Sequence, residues 1–284
     1  MMRATTWPAV AMVAALGTAA CGETAALPDA APLDDAGPGD HRPDRIGFVS
    51  LIEGGFTSVF AQLQDGPELP TARLTAREGD CAIYERPRAA SCQPACSNGA
   101  CTAANTCTPW PANAAAGTIT VTGLRAPLVF RSGSFGYVPE PEPGDDLFAA
   151  GATIRVSAPG GVTPAFEATV TGVAPLEAPF QNLTLVDGRD ATVQWTGASD
   201  ARIQVGLVVG WHGAPYEALL LCETADDGEL VIPGSLITRL PRAASSLESH
   251  PSWIMRFDRA VVMVPAGPIE IVAGSQRFIH FGHP

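Results

Sequence analysis

Residues 81–110 read CAIYERPRAASCQPACSNGACTAANTCTPW and hold Cys81, Cys92, Cys96, Cys101 and Cys107, five of the chain's seven cysteines. The residues between them are rich in Gly, Pro, Asn and Ser, which favour turns. Cys222, far downstream, brings the number to six, which can pair completely. The spacing Cys92-x3-Cys96-x4-Cys101-x5-Cys107 contains no Cys-x2-Cys knuckle, so a zinc site is the weaker expectation. Disulfides are expected instead, provided that the chain is exported. Sequence alone does not choose the pairing. Cys222 has to pair upstream, however, and a bridge closing so long a loop stabilises by about 4–5 kcal/mol in the chain-entropy account. Such a bridge favours one cooperative unit over two independent ones.

The N-terminus, MMRATTWPAVAMVAALGTAAC, supplies the export signal. Arg3 gives a positive start, Pro8–Leu16 an apolar run too short to span a bilayer, and Thr18, Ala19 and Ala20 the small residues before a cleavage point. The ending Ala-Ala-Cys-Gly resembles the lipobox of bacterial lipoproteins, with Thr18 where the pattern usually has Leu. Two readings of Cys21 follow: the lipidated first residue of the mature chain, or a spare thiol behind an ordinary cleavage site. The even number of remaining cysteines favours lipidation. Several acyl chains on one residue give durable anchoring where a single chain does not. Gly22 after the cysteine implies, by the same resemblance, the outer membrane.

Residues 1–20 are thus expected as signal peptide and 21–45 as a tether. The tether carries Glu23, Asp29, Asp34, Asp35, Asp40 and Asp44 against Arg42 and Arg45, amid Pro and Ala. It is too poor in apolar residues to fold alone. The net charge of −12 argues against nucleic acid and against an electrostatic grip on anionic lipid.

From Ile46 onward the pattern is β. IGFVSLIEGG (46–55) and FTSVFAQL (56–63) are apolar runs joined at a Gly-Gly turn. TARLTA (71–76), CAIYE (81–85), AGTITVTG (116–123), APLVF (126–130) and FGYV (135–138) follow. Further runs are expected at 147–158, 160–173, 183–186, 190–196, 201–209, 216–223 and 228–233, with a turn at Asp226-Asp227-Gly228. Gly234–Leu240 is the one short helix, and 252–264, 267–274 and 276–281 close the chain. Strands recurring every eight to twelve residues between turn signals predict an all-β fold, a sandwich or barrel. A strand with Trp195 ahead of one with Cys222 resembles the core of immunoglobulin-like sandwiches in architecture, without the upstream cysteine of that fold. The expected organisation is a Cys-rich β region (46–150) and a β-sandwich region (151–284) in one unit.

The lipobox-like start, the Cys block with AGTITVTG (116–123), LFAAGATIRVSAPGGVTPAF (147–166), DATVQWTG (190–197) and LCETADDGELVIPGSLI (221–237) are similar to a family of myxobacterial lipoproteins with no assigned activity. The resemblance implies an envelope location and carries over no catalytic residue.

Candidate chemistry is sparse. His280 and His283 lie three apart, so a strand points them to opposite faces and they cannot chelate together. Ser132-Gly133-Ser134-Phe135-Gly136 misses the Gly-x-Ser-x-Gly elbow. Asp145, Asp146, Asp187, Asp190, Asp226 and Asp227 sit in turn-like runs without a calcium-loop pattern. Trp211 and Tyr216, in the run GWHGAPY (210–216), suit stacking on a sugar or peptide, though capping one end of a sandwich is the commoner role of large aromatics. No cofactor is expected. The functional expectation is a non-enzymatic envelope lipoprotein, anchored through Cys21, that serves as a binding or structural module, with an envelope protein or a glycan as the candidate partners. The alternative is a secreted hydrolase of polysaccharide or peptide with a site that sequence does not reveal.

Overall fold

Period-two alternation is carried directly into the strands: in β7 (Ile119–Thr122) Ile119 and Val121 are fully buried, while Thr122 is exposed. The computed structural model describes residues 44–55, 57–69, 71–87, 91–133, 136–179, 181–197, 199–210, 216–242 and 252–284. Cys21 and residues 1–43 as a whole lie outside this set, as do Trp211, His212, Ser134 and His250. Among the described residues the protein is all-β with one short helix, α1 (Gly234–Arg239), and no helix is long and apolar enough to cross a membrane.

A long hairpin is the spine. β17 (Ser252–Val264) and β18 (Gly267–Gly282) pair antiparallel from Ser252 opposite Ile279 to Val264 opposite Gly267. On one side β1 (Gly47–Gly54) runs parallel to β18, and β2 (Ser58–Leu63) returns antiparallel to β1. The sheet continues through β9 (Gly136–Glu140), β8 (Leu128–Gly133), β7, β10 (Thr153–Ala158) and β11 (Phe166–Thr171). It curls until β11 lies against β17, where the Thr171 amide donates to Asp258 Oδ2 at 2.6 Å. The interior so enclosed is the first core, with Val49, Leu51, Phe130, Ile154 and Ile271 fully buried. Each such side chain contributes about 1.5–3 kcal/mol by leaving water.

On the other side of the hairpin come β14 (Ser199–Val209), β15 (Ala218–Asp226), β4 (Cys81–Glu85) and, at the edge, β3 (Arg73–Glu78). A second layer covers one face of these strands. It consists of the pair β13 (Ala191–Gln194) and β16 (Glu229–Ile232) with α1, and Ile203, Leu220, Ile232, Ile237 and Ile254 form the second core beneath it. β12 (Asn182–Thr184) extends the sheet beside the end of β18. The hairpin therefore serves both cores: Ile269, Ile271 and Ala273 of β18 belong to the first, Ile279 and Phe281 to the second.

All six expected cysteines are bridged: Cys81–Cys222, Cys92–Cys101 and Cys96–Cys107. The first joins residues directly opposite each other on β4 and β15, with Cα atoms 4.0 Å apart. The other two clip the small hairpin of β5 (Ala100–Ala103) and β6 (Thr106–Thr108). Because Cys81–Cys222 lies within one sheet, the likeness to immunoglobulin domains stops at the layered architecture and does not extend to their bridge between sheets.

Three local expectations are corrected. The runs at 267–274 and 276–281 form the single strand β18. The strand expected over 147–158 begins only at Thr153; Leu147 and Phe148 instead plug the first core from a loop, with the Leu147 amide donating to the Glu53 carboxylate at 3.0 Å. Asp226 does not sit in a solvated turn: it ends β15 with 3 % exposure, and the turn at Asp227-Gly228 moves the chain into the other layer, where β16 pairs with β13.

Candidate functional site

β1, β18, β17, β14 and β15 are adjacent in the sheet, and none of them is an edge strand. Alternation sends Val49, Leu51, Ile271 and Ile254 into the two cores. It leaves the other face of the same strands to Phe48, Ser50, Ile52, Val272, Trp253 and Met255. These, with Tyr216 and Leu221, line a groove of about 280 Å³. Such a face ordinarily carries solvated polar residues. Here it is floored by apolar ones: Ile52, Met255 and Phe257 form one buried cluster, and Val208, Leu219 and Leu221 belong to another.

Trp253 stands directly opposite Gly206 across the β14–β17 ladder. Its six-membered ring fills the space that a Cβ at Gly206 would occupy, with ring atoms 2.4–2.7 Å from that position. The half-buried indole thus packs against the strand at Gly206 and also lines the groove. The Trp253 indole Nε1 donates to Gln204 Oε1 at 3.0 Å, and Gln204 Nε2 donates to Glu223 Oε1 at 2.8 Å. The Arg259 guanidinium then joins Glu223, at 2.5 Å, to Glu270, at 3.4 Å, and Glu270 is also paired with Arg45. These polar contacts thus link residues of β17, β14, β15 and β18 to Arg45, just ahead of β1. Glu270 and the Arg259 side chain are only 1 % and 3 % exposed. Arg259 lies 4.8 Å over the Phe257 ring, Arg45 4.6 Å over Phe48 and Arg86 4.6 Å over Tyr216.

Two electrostatic details mark this groove. Burial pushes the Tyr216 hydroxyl above its ordinary range, against the opposing pull of Arg86 and Arg45. Arg259 Nε is buried and has no hydrogen-bond partner among the described residues. An orphaned donor beside two satisfied ones on the same guanidinium is costly in a low-dielectric site. A second depression, about 470 Å³, abuts the groove and shares Phe257 and Arg259 with it; Ser199, Asp200, Arg202 and Asp258 line its other walls.

The residues singled out from sequence fall as follows. Tyr216 lines the groove, while its expected companion Trp211 lies outside the described residues. Cys92, Cys96 and Cys101 bring their sulfurs within 4.8 Å of one another, but all three are committed to disulfides and offer no thiolate to a metal. Asp145 accepts a hydrogen bond from Thr57, Asp146 pairs with Arg125, Asp187 pairs with Arg242, and Asp190 accepts the amide of Gly234. His283 packs edge-on against Phe281.

Asp226 has a structural role. Burial alone would raise its pKa, but the Arg256 guanidinium, the Ser199 hydroxyl and the Trp195 indole together hold the carboxyl below its ordinary value. Arg256 grips it through two nitrogens, at 2.7 and 3.1 Å, and donates onward to the carbonyls of Pro175 and Thr196.

Sequence reasoning missed Phe48, Trp253, Arg259 and Glu270. The signal was present: the segments 46–52 (IGFVSLI) and 252–257 (SWIMRF) are apolar at nearly every position, which marks strands covered on both faces. No family model matches this chain, and none of the curated proteins is similar to it.

Proposed function

We propose that this protein is a non-enzymatic binding module of the bacterial cell envelope, a lipoprotein held by an anchor at Cys21, and that the groove over its five central strands is the binding face. The observation that carries this reading is the half-buried Trp253 seated on Gly206 at the head of a buried polar file that ends at Arg45. Concave, mostly apolar surfaces with a few convergent polar groups are the usual form of a binding site. The six bridged cysteines support export, since disulfides persist in oxidising compartments. Glu223 and Glu270 turn towards the same guanidinium rather than towards each other across an open gap, which supports binding over hydrolysis.

The test is co-sedimentation of the full-length, detergent-solubilised protein with separated envelope fractions: peptidoglycan, outer-membrane polysaccharide and envelope protein. Wild type is expected to sediment with one of them and Trp253→Ala to stay in solution. Equal behaviour of the two proteins in every fraction overturns the groove as the binding face.

A further inference from the structure

We infer that the rim at which the chain enters the fold docks on a neutral phospholipid surface, an inference that rests on the anchored reading above and not on the groove. Among the strands around the first core, β1, β7, β9, β11 and β18 begin at this rim, and β2, β8, β10 and β17 end at it. The registers fix that arrangement: Gly47 stands opposite Leu63 and Ile269, Ser157 opposite Thr120, Ala158 opposite Phe166, and Val264 opposite Gly267. Backbone hydrogen bonds then join one loop to the next. The Ile46 amide donates to the Pro268 carbonyl, Gln64 to Ile46, Ala114 to Leu63, Gly160 to Ala116 and Val162 to Ala115. Loops far apart in sequence thus form one continuous surface.

Three stretches that meet there, 89–124, 156–166 and 260–269, contain no charged residue, although 16 % of the whole chain is charged. They carry Trp110, Val162 and Met263, which are 49 %, 77 % and 63 % exposed. Trp110 reaches the rim through its neighbours: the Ala112 amide donates to the Asp65 carboxylate at 2.8 Å, and Asn113 bridges to Gln64. The Thr163 hydroxyl, donating to the Ala114 carbonyl at 2.6 Å, holds the loop that presents Val162. Of the charges flanking these loops, Asp65 is occupied in this way and Arg45 pairs with Glu270, while Asp44 stands exposed at the point of entry. Apolar side chains on uncharged loops, with many of the loop amides already bonded, can enter the headgroup region without stranding a charge. Trp favours that depth, having an apolar ring and a polar N–H.

The point of entry selects the occupant. Residues 22–43 lie between Cys21 and Asp44, so an anchor at Cys21 holds this rim within about 80 Å of the bilayer even at full extension. A surface linked to its target meets it at an effective concentration of about millimolar, so a few apolar side chains suffice. Charge selects the lipid. The three stretches offer no basic residue to an anionic surface and the net charge is −12, which leaves neutral, zwitterionic headgroups.

The experiment uses the full-length protein extracted from membranes and reconstituted into phosphatidylcholine vesicles brominated on their acyl chains, which quench tryptophan emission on contact. Wild type is compared with Trp110→Phe and with Val162→Asp combined with Met263→Asp. Flotation with the vesicles reads the anchor, and quenching reads the rim. All three proteins should float with unchanged melting temperatures. Wild-type emission should be quenched, and should stay so in about 1 M salt, where charges are screened within about 3 Å. Both variants should lose most of that quenching; Trp110→Phe keeps the test valid if the double variant fails to fold. Flotation without quenching of wild type, or equal quenching of all three proteins, overturns the rim as the docking face and leaves the anchor standing. Quenching abolished by salt overturns the neutral contact. A wild-type dimer in detergent that the double variant converts to monomer gives the rim to a second copy and overturns the membrane. Failure of wild type to float overturns the anchored reading and this inference with it.

Discussion

The indole of Trp253 occupies the space in which Gly206 would carry a side chain, so the two residues are fitted to each other across the β14–β17 ladder. Gly206→Ala should therefore lift the ring from its seat. Overpacking of this kind costs about 1–3 kcal/mol. The expected result is a lower melting temperature together with a shift in tryptophan emission as the indole moves. An unchanged melting curve and spectrum would mean that the ring is not held by the glycine.

The three disulfides should open in a fixed order. Cys81 and Cys222 are 1 % and 0 % exposed, whereas the bridges of the β5–β6 hairpin are at or near the surface. Mild reductant with thiol labelling should modify Cys92, Cys96, Cys101 and Cys107 while Cys81 and Cys222 stay bridged until the protein unfolds. Removing the buried bridge by Cys81→Ala with Cys222→Ala should cost several kcal/mol, up to about 4–5 by chain entropy. Removing the surface pair should leave the melting temperature nearly unchanged, because those loops staple only their own hairpin. Simultaneous labelling of all six thiols would contradict this order.

Asp226→Asn should leave the Arg256 guanidinium buried without its counter-charge, at a cost of about 3–5 kcal/mol. The pH dependence has a definite sign. Asp226 has its folded pKa held below the ordinary value of 3.8, so its contribution is fully present above that pH. It is lost as pH falls through the lowered folded value. Chemical denaturation of wild type should therefore weaken steeply below pH 3.8, with a shallower slope in Asp226→Asn. Parallel slopes in the two proteins would sink this assignment.

Glu53 should behave in the opposite sense. Burial raises its pKa, outweighing the amides of Leu147 and Phe148 that hydrogen-bond to it. A raised carboxyl contributes stability that is complete below its unfolded value of 4.5 and declines as pH rises through the folded one. Glu53→Gln, neutral throughout, should flatten the pH profile of stability above 4.5. Glu53→Ala should lose about 1–3 kcal/mol by stranding the Leu147 amide. A profile identical to wild type in Glu53→Gln would show that Glu53 does not titrate differently on folding.

Much of the fold was legible because its causes are local. Alternation in ITVT (119–122) and the long run SWIMRFDRAVVMV (252–264) each point to a strand, and the parity of six cysteines points to complete bridging without choosing the partners. The groove was not legible in the same way, because it joins Phe48, Tyr216, Trp253 and Glu270, which come from four separate stretches of the chain. Each looks like an ordinary strand or loop residue in its own segment. Only the order of strands, fixed by long-range pairing, puts them side by side. Tyr216 was singled out for its aromatic neighbourhood in the 210–216 run, whereas the partners that give it a role sit across the sheet. Asp226 was misread for a related reason: Asp-Asp-Gly signals a turn, and nothing local says that Arg256 waits opposite the first of the two carboxylates.

The chain enters the described fold through Arg45 and Phe48, which are also walls of the groove. β1 is gripped on both flanks, by β18 in parallel from Gly47 to Gly54 and by β2 in antiparallel. A pull delivered along β1 from the residues ahead of Asp44 is therefore resisted by both ladders sliding as a whole, not by bonds peeling one after another. The strand that would carry tension from the start of the chain is the same strand that would touch cargo, which gives the molecule the load path of a hook whose shank and point share one piece of wire.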